Sequence, residues 1–177
     1  MEKPATLLKH NVLIAALALV AVLSPLPMRP ANAQNRIAAA GWEGFATRNA
    51  ENDFDRCVLY NKSIEALSAA PYDMLGITRS ASGQVGLLVF FRPSALKRGD
   101  NVPLTLRIDN RPVALTGQAL SDFHISVAGP IGAETVDALR QASSVEASAE
   151  GKTVRFEVSD VGAALDALEA CVKNNTH

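Results

Sequence analysis

Polar and apolar side chains alternate strictly over residues 102–108. Val102, Leu104, Leu106 and Ile108 interleave with Pro103, Thr105 and Arg107. A period of two puts one set on a buried face and the other in water, which predicts a half-covered strand. The turn Asp109-Asn110-Arg111-Pro112 follows, and residues 113–120 read as its partner strand. A third strand, 122–127, has Phe123, Ile125 and Val127 on one face and His124 and Ser126 on the other. Upstream, 41–47 and 56–60 predict strands around a polar turn at 49–53. Residues 72–78 and 84–91 flank a small polar loop ending at Gly83, a hairpin pattern. The run 87–91 is apolar on both faces, as a central, covered strand requires. A second hairpin is expected from 145–148 and 153–158 around Glu150-Gly151-Lys152, with Val154, Phe156 and Val158 facing inward. The stretch 63–70, ahead of Pro71, fits either a helical turn or an irregular strand extension.

Two segments change period. Residues near 132–141 have an acidic start at Glu134 and a basic end at Arg140, which suits a short helix and its dipole. Residues near 160–173 place Val161, Ala164, Leu165, Leu168, Cys171 and Val172 at helical spacing, with Asp160 as N-cap. Glu169 and Lys173 fall outside that stripe as an i,i+4 pair. The spacing turns Cys171 inward with the leucines. The expected fold is α+β: a mostly antiparallel β-sheet or sandwich with these two helices.

The beginning of the chain follows another pattern. Lys3, Lys9 and His10 precede an unbroken apolar run of 12 residues, 12–23; Pro25, Pro27 and Pro30 come next, then Ala31-Asn32-Ala33. A basic end, a short apolar core and a small-x-small site define a cleavable signal peptide. The apolar run covers about 18 Å as a helix, too little for a hydrocarbon core of about 30 Å. The expected organisation is therefore a removed signal at 1–33, a flexible lead at 34–40 and a single exported domain at 41–177. The destination is the periplasm or the exterior.

Removal of 1–33 leaves 14 basic against 17 acidic side chains, a net charge of −3. No long run of one sign occurs, and the most basic window, 92–98, reads as a solvated loop. Nucleic acid and strong attachment to anionic lipid have little support. The mature chain has no second apolar stretch long enough to span a membrane.

Cys57 and Cys171 survive into the mature chain, and an even number of cysteines in an exported protein points to a disulfide. Such a bond would clamp the C-terminal segment onto the N-terminal one. The cysteines, His124 and His177 form no CxxC or HxxxH spacing, so neither a dedicated metal site nor a redox pair is expected.

No set of residues stands out as catalytic, and no cofactor is expected. His124 is the one histidine away from the chain ends and reads as a solvated strand residue; no GxSxG surrounds a serine. The acids Asp53, Asp100, Asp109 and Asp122 sit in turns, unlike a carboxylate pair in a cleft. Neither GxGxxG nor GxxxxGK[ST] occurs. Asn61-Lys62-Ser63 and Asn174-Asn175-Thr176 match the glycosylation triplet at chance level. Trp42 reads as a core aromatic. Phe90, Phe91 and Tyr72 are expected in the core, with an aromatic binding face as the alternative.

Several of these features together resemble exported bacterial proteins of the invasion-associated locus B type. They are Gly41-Trp42 early in the mature chain, Cys57 soon after, the strand Leu104-Thr-Leu-Arg-Ile-Asp109, and Phe156-Glu-Val-Ser-Asp160 running into Ala163-Ala-Leu-Asp-Ala-Leu168. The chain departs from that pattern in lacking a further central cysteine pair. The resemblance implies a β-sandwich-like periplasmic or surface protein linked to host-cell interaction, with no active site to carry over. The functional expectation is a non-enzymatic exported protein that binds another protein or an envelope component. A secreted hydrolase with an unrecognised site and an envelope assembly factor are the alternatives.

Overall fold

The computed structural model describes residues 36–63, 65–66, 73–91, 96–127 and 129–176, which belong to one compact unit. The expected signal segment lies outside these residues, as do Tyr72, His177 and most of 63–70; residues 65 and 66 are helical. The ten strands are β1 (Arg36–Ala39), β2 (Trp42–Arg48), β3 (Phe54–Tyr60), β4 (Met74–Ser80), β5 (Val85–Phe90), β6 (Asn101–Ile108), β7 (Arg111–Ala119), β8 (His124–Val127), β9 (Ser144–Ala149) and β10 (Lys152–Glu157). They form one sheet in the order β1-β2-β3-β4-β5-β8-β7-β6-β9-β10, antiparallel at every pairing. Among the described residues, apart from helical residues 65 and 66, two helices complete the α+β fold: α1 (Ala133–Arg140) and α2 (Val161–Asn175).

Three hairpins close through two-residue turns: Ala40-Gly41, Asp109-Asn110 and Glu150-Gly151. Both turn residues have positive φ in each case, the geometry that matches the twist of paired strands. The first of these corrects the expected flexible lead. Arg36–Ala39 is an edge strand on β2, anchored by the ion pair of Arg36 with Glu43 at 2.7 Å. Ala-Gly is a weak turn signal because alanine seldom adopts the left-handed region, so the hairpin was hidden in the sequence. The second turn is shorter than expected, and Arg111 and Pro112 already belong to β7.

Apolar side chains cover both faces of the central strands. The main core takes Cys57 and Leu59 from β3, Leu75 and Ile77 from β4, Leu87 and Val89 from β5, and the alternating set Val102, Leu104, Leu106 and Ile108 from β6. It also takes Phe156 from β10 and the whole buried stripe of α2: Val161, Ala164, Leu165, Leu168, Cys171 and Val172. Asp160 caps α2 by accepting from Ala163 N at 2.9 Å. A second cluster lies across the sheet: Val58, Tyr60, Met74 and Phe90, with Phe45, Leu88 and Phe123 against it. Phe91 belongs to the main core and Phe90 to this second cluster, so the two do not share a face. Phe123 precedes β8 and packs with the second cluster, not beside Ile125 and Val127 as strict alternation predicts.

The N-terminal strands are tied to the β10–α2 link by side-chain bonds. Trp42, 1% exposed, donates from Nε1 to the Ser159 carbonyl at 2.7 Å, and Ser159 Oγ donates to the Ala40 carbonyl at 2.9 Å. Asn61 donates to the Glu157 carbonyl at 3.1 Å and accepts from Leu75 N at 2.8 Å. Its amide bridges two strands, β4 and β10, which gives the triplet at 61–63 a structural role. Cys57 and Cys171 form a disulfide with their Cα atoms 6.3 Å apart, joining β3 to α2 across 114 residues.

Candidate functional site

The features that sequence made chemical candidates are dispersed. His124 lies at the start of β8, its ring stacked on Phe90 with centroids 4.1 Å apart and planes inclined by 18°. Its Nε2 is buried without a hydrogen-bond partner, and burial pushes its pKa down to about 4. The expectation of a solvated histidine is thus corrected. The face of the strand is as alternation placed it, but the second apolar cluster covers that face. Tyr60, 5.9 Å from Phe90 and edge-on to it, has its phenol pKa raised by the same burial. Among the described residues, no three His, Cys, Asp or Glu side chains come together as a metal site would need.

A different region draws polar and apolar groups into one concave place. A cleft of about 590 Å³ separates the tip of the β6–β7 hairpin from α1. Arg111, Pro112 and Val113 form one wall; Glu134, Thr135 and Asp137 stand on the other. Local chemistry explains why these walls stand apart. Only Leu139 of α1 is fully buried, while Val136 and Ala138 touch the core with part of their surface. The helix is held from behind, because Arg140 pairs with Asp166 of α2 at 2.7 Å and donates to the Gly162 carbonyl at 3.4 Å. On the opposite wall Val113 is only half-buried, and so is Leu115 next inward along the strand; these are the least covered inward positions of β7.

Asp109 fixes the hairpin tip relative to α1. Its carboxylate accepts from Ser143 N at 3.1 Å, Ser143 Oγ at 3.0 Å and Ser144 N at 3.0 Å, in the link between α1 and β9. These hydrogen bonds hold its pKa below the ordinary value. Sequence reading gave Asp109 a turn role and missed this second one; the serines 34 and 35 residues away carry no local signal for it.

No protein-family model matches this sequence, and no match is found among curated proteins. The chain resembles a solved structure. Invasion associated protein B from Bartonella henselae aligns over 80% of this chain and 99% of that one, at 11% sequence identity and a TM-score of 0.48.

One more property of the cleft follows from strand pairing. β7 pairs with β6 along its whole length but with β8 only through Gln118 and Ala119. On the β8 side, therefore, residues 111–117 have no strand partner among the described residues. The direction of each backbone group follows from bonds at the end of the strand. Ala119 N donates to the Asp100 carbonyl on the β6 side, whereas Leu120 N donates to the His124 carbonyl on the β8 side. Successive residues alternate in direction, so the groups aimed away from β6 belong to Pro112, Ala114 and Thr116. Proline at such an edge position gives up no ladder bond.

Proposed function

We propose that this chain is an exported, non-enzymatic binding protein that uses the cleft between β7 and α1 to hold another protein or an envelope component. The observation that carries the reading is a cleft that combines apolar Pro112, Val113 and Ala138 with Arg111, Glu134 and Asp137, beside a strand edge that has no strand partner among the described residues. Recognition surfaces combine these features: apolar contact for affinity and a few placed polar groups for orientation. Export is supported by the disulfide, which persists in oxidising compartments. It is also compatible with the described residues, none of whose helices is long and apolar enough to cross a membrane. A role at the bacterial envelope or toward host cells fits such a protein. A general base must reach the proton it takes; the buried, partnerless Nε2 of His124 supports binding over hydrolysis.

The test joins address and contact. Cells making the tagged chain are fractionated, and the mature N-terminus is sequenced. A photo-crosslinking residue stands in for Thr135, in the cleft, or for Thr153, on β10, as a control. The expected result is a chain beginning at Gln34 outside the cytoplasm, with a discrete crosslinked product from position 135. An uncleaved cytoplasmic chain with both thiols free would sink the export reading. Absence of products from both positions would remove the binding reading.

A further inference from the structure

Resting on that binding reading, we infer that the partner enters as an extended polypeptide segment, adding a strand to the free edge of β7 beside α1. The place it takes is one that no strand of the described residues fills. The described part of β8 runs to Val127; further along, Gly129, at φ 139°, and Pro130 lead to Ile131, whose N–H bonds the Val85 carbonyl on β5 instead. The antiparallel register of β8 on β7, continued past Val127, runs alongside Thr116, Ala114 and Pro112. A strand there would be in line with β8 and flanked by α1.

The chemistry of the edge selects the occupant. Among the described residues no strand meets the N–H and C=O groups of Ala114 and Thr116 or the lone C=O of Pro112, which recur at every second residue. A group that satisfies this series needs donors and acceptors at the same spacing of about 7 Å, which an extended backbone supplies. Its side chains then alternate. Those facing inward meet Val113, Leu115 and Val136, whose partial exposure leaves apolar surface to cover. Those near α1 meet Glu134 and Asp137, two acids against one cation, Arg111, among the described residues that line the cleft. The preferred segment alternates apolar with polar residues and carries lysine or arginine toward α1.

Pro112 and Pro103 sit at alternate positions of the same hairpin without breaking it, and this provides a clean variant. Ala114→Pro removes the donor facing the empty place while leaving the β6 ladder its bonds. The purified disulfide-bonded chain is used to select from phage-displayed random dodecapeptides, and the strongest binder is synthesised with a fluorophore. Expected are alternating sequences with a basic residue, and exchange of the Ala114 amide slowed at least tenfold by the peptide. Binding should weaken at least tenfold in Ala114→Pro with its melting temperature kept. A second arm leaves the protein untouched: N-methylation of alternate peptide bonds in one of the two registers should abolish binding, and in the other should spare it. Equal binding to Ala114→Pro and wild type, or indifference to N-methylation in both registers, overturns the inference. So does a dimer in sedimentation whose Ala114 amide is already protected, since a second copy then fills the place. Peptides that bind but protect other amides overturn strand addition while leaving the binding reading intact; no enrichment, with no crosslink from position 135, removes both.

Discussion

The sheet is closed to different degrees at its β1–β3 end and at the tip of the β6–β7 hairpin. At the end carrying β1, β2 and β3, the sheet face lies under α2, which buries six side chains. A disulfide, the Trp42 indole and the Asn61 amide tie it to the rest of the molecule. At the tip of the β6–β7 hairpin, the helix opposite buries one side chain, the strand edge has no strand partner among the described residues, and the Asp109 carboxylate bonded to two serines holds the geometry. The difference separates two tasks. Stability concentrates where apolar contacts and cross-links are dense, so the other end can expose backbone and apolar surface without unfolding the domain.

The largest expected effect comes from loosening the closed end. Replacing both cysteines with alanine removes a cross-link spanning 114 residues. Loop-closure entropy gives about 4.7 kcal/mol for a loop of about 100 residues, and removal of native disulfides from small secreted domains costs about 2–5 kcal/mol. Urea unfolding monitored by Trp42 fluorescence should lose about that much. A change under 1 kcal/mol would mean that α2 stays docked by packing alone.

A matched pair of leucines tests the comparison directly. Leu168→Ala empties a fully buried site under α2 and should cost about 2–5 kcal/mol. Leu115→Ala trims a half-buried residue beside the hairpin tip and should cost less, about 1–2 kcal/mol, since only the buried part of the side chain loses its transfer energy. Equal losses in chemical denaturation would erase the distinction between the ends. A smaller step follows at the helix start. Asp160→Ala deletes the bond to Ala163 N and should cost about 1 kcal/mol, the usual worth of an N-cap. Hydrogen exchange should show that loss first in the opening turn of α2.

How far sequence carried depended on whether the deciding contacts were periodic or distant. The alternation of β6 and the stripe of α2 are visible because covering one face imposes a period, and the six α2 positions read from spacing are the six buried ones. The cysteine pair followed from number and compartment. The short β1 hairpin was obscured because its turn uses an alanine at φ 48°. Asn61 and Asp109 gave no warning of their cross-links, since each partner is set by tertiary folding. The candidate cleft was the least legible part. A bare edge arises from where β8 stops relative to β7, and hydrophobic pattern encodes faces but not which edges meet. His124 shows the same limit: alternation gave its side of the strand, but not the aromatic cluster on that side.

That histidine supplies the test with the smallest effect at neutral pH, and it sharpens the comparison because the aromatic cluster around it lies across the sheet from the core that α2 covers. In the folded chain burial holds its pKa at about 4, against an ordinary value of 6.5 that the unfolded chain regains. The unfolded state therefore binds the proton first as the pH falls. Its contribution is complete above pH 6.5, declines between 6.5 and about 4, and levels off below, where both states are charged. Asp109 acts lower: hydrogen bonds from Ser143 and Ser144 keep its folded carboxylate below the ordinary 3.8, so its contribution fades only as the pH passes under that value. His124→Phe keeps a ring stacked on Phe90 and removes the titrating group. Urea midpoints measured from pH 7 to pH 3 should fall in the wild type through the upper window, whereas the variant should stay level there and share only the lower fall. A variant whose midpoints track the wild type down to pH 4 would show that the ring is not desolvated. The aromatic cluster would then be open to water, and the hairpin cleft would no longer be the molecule's distinctive opening.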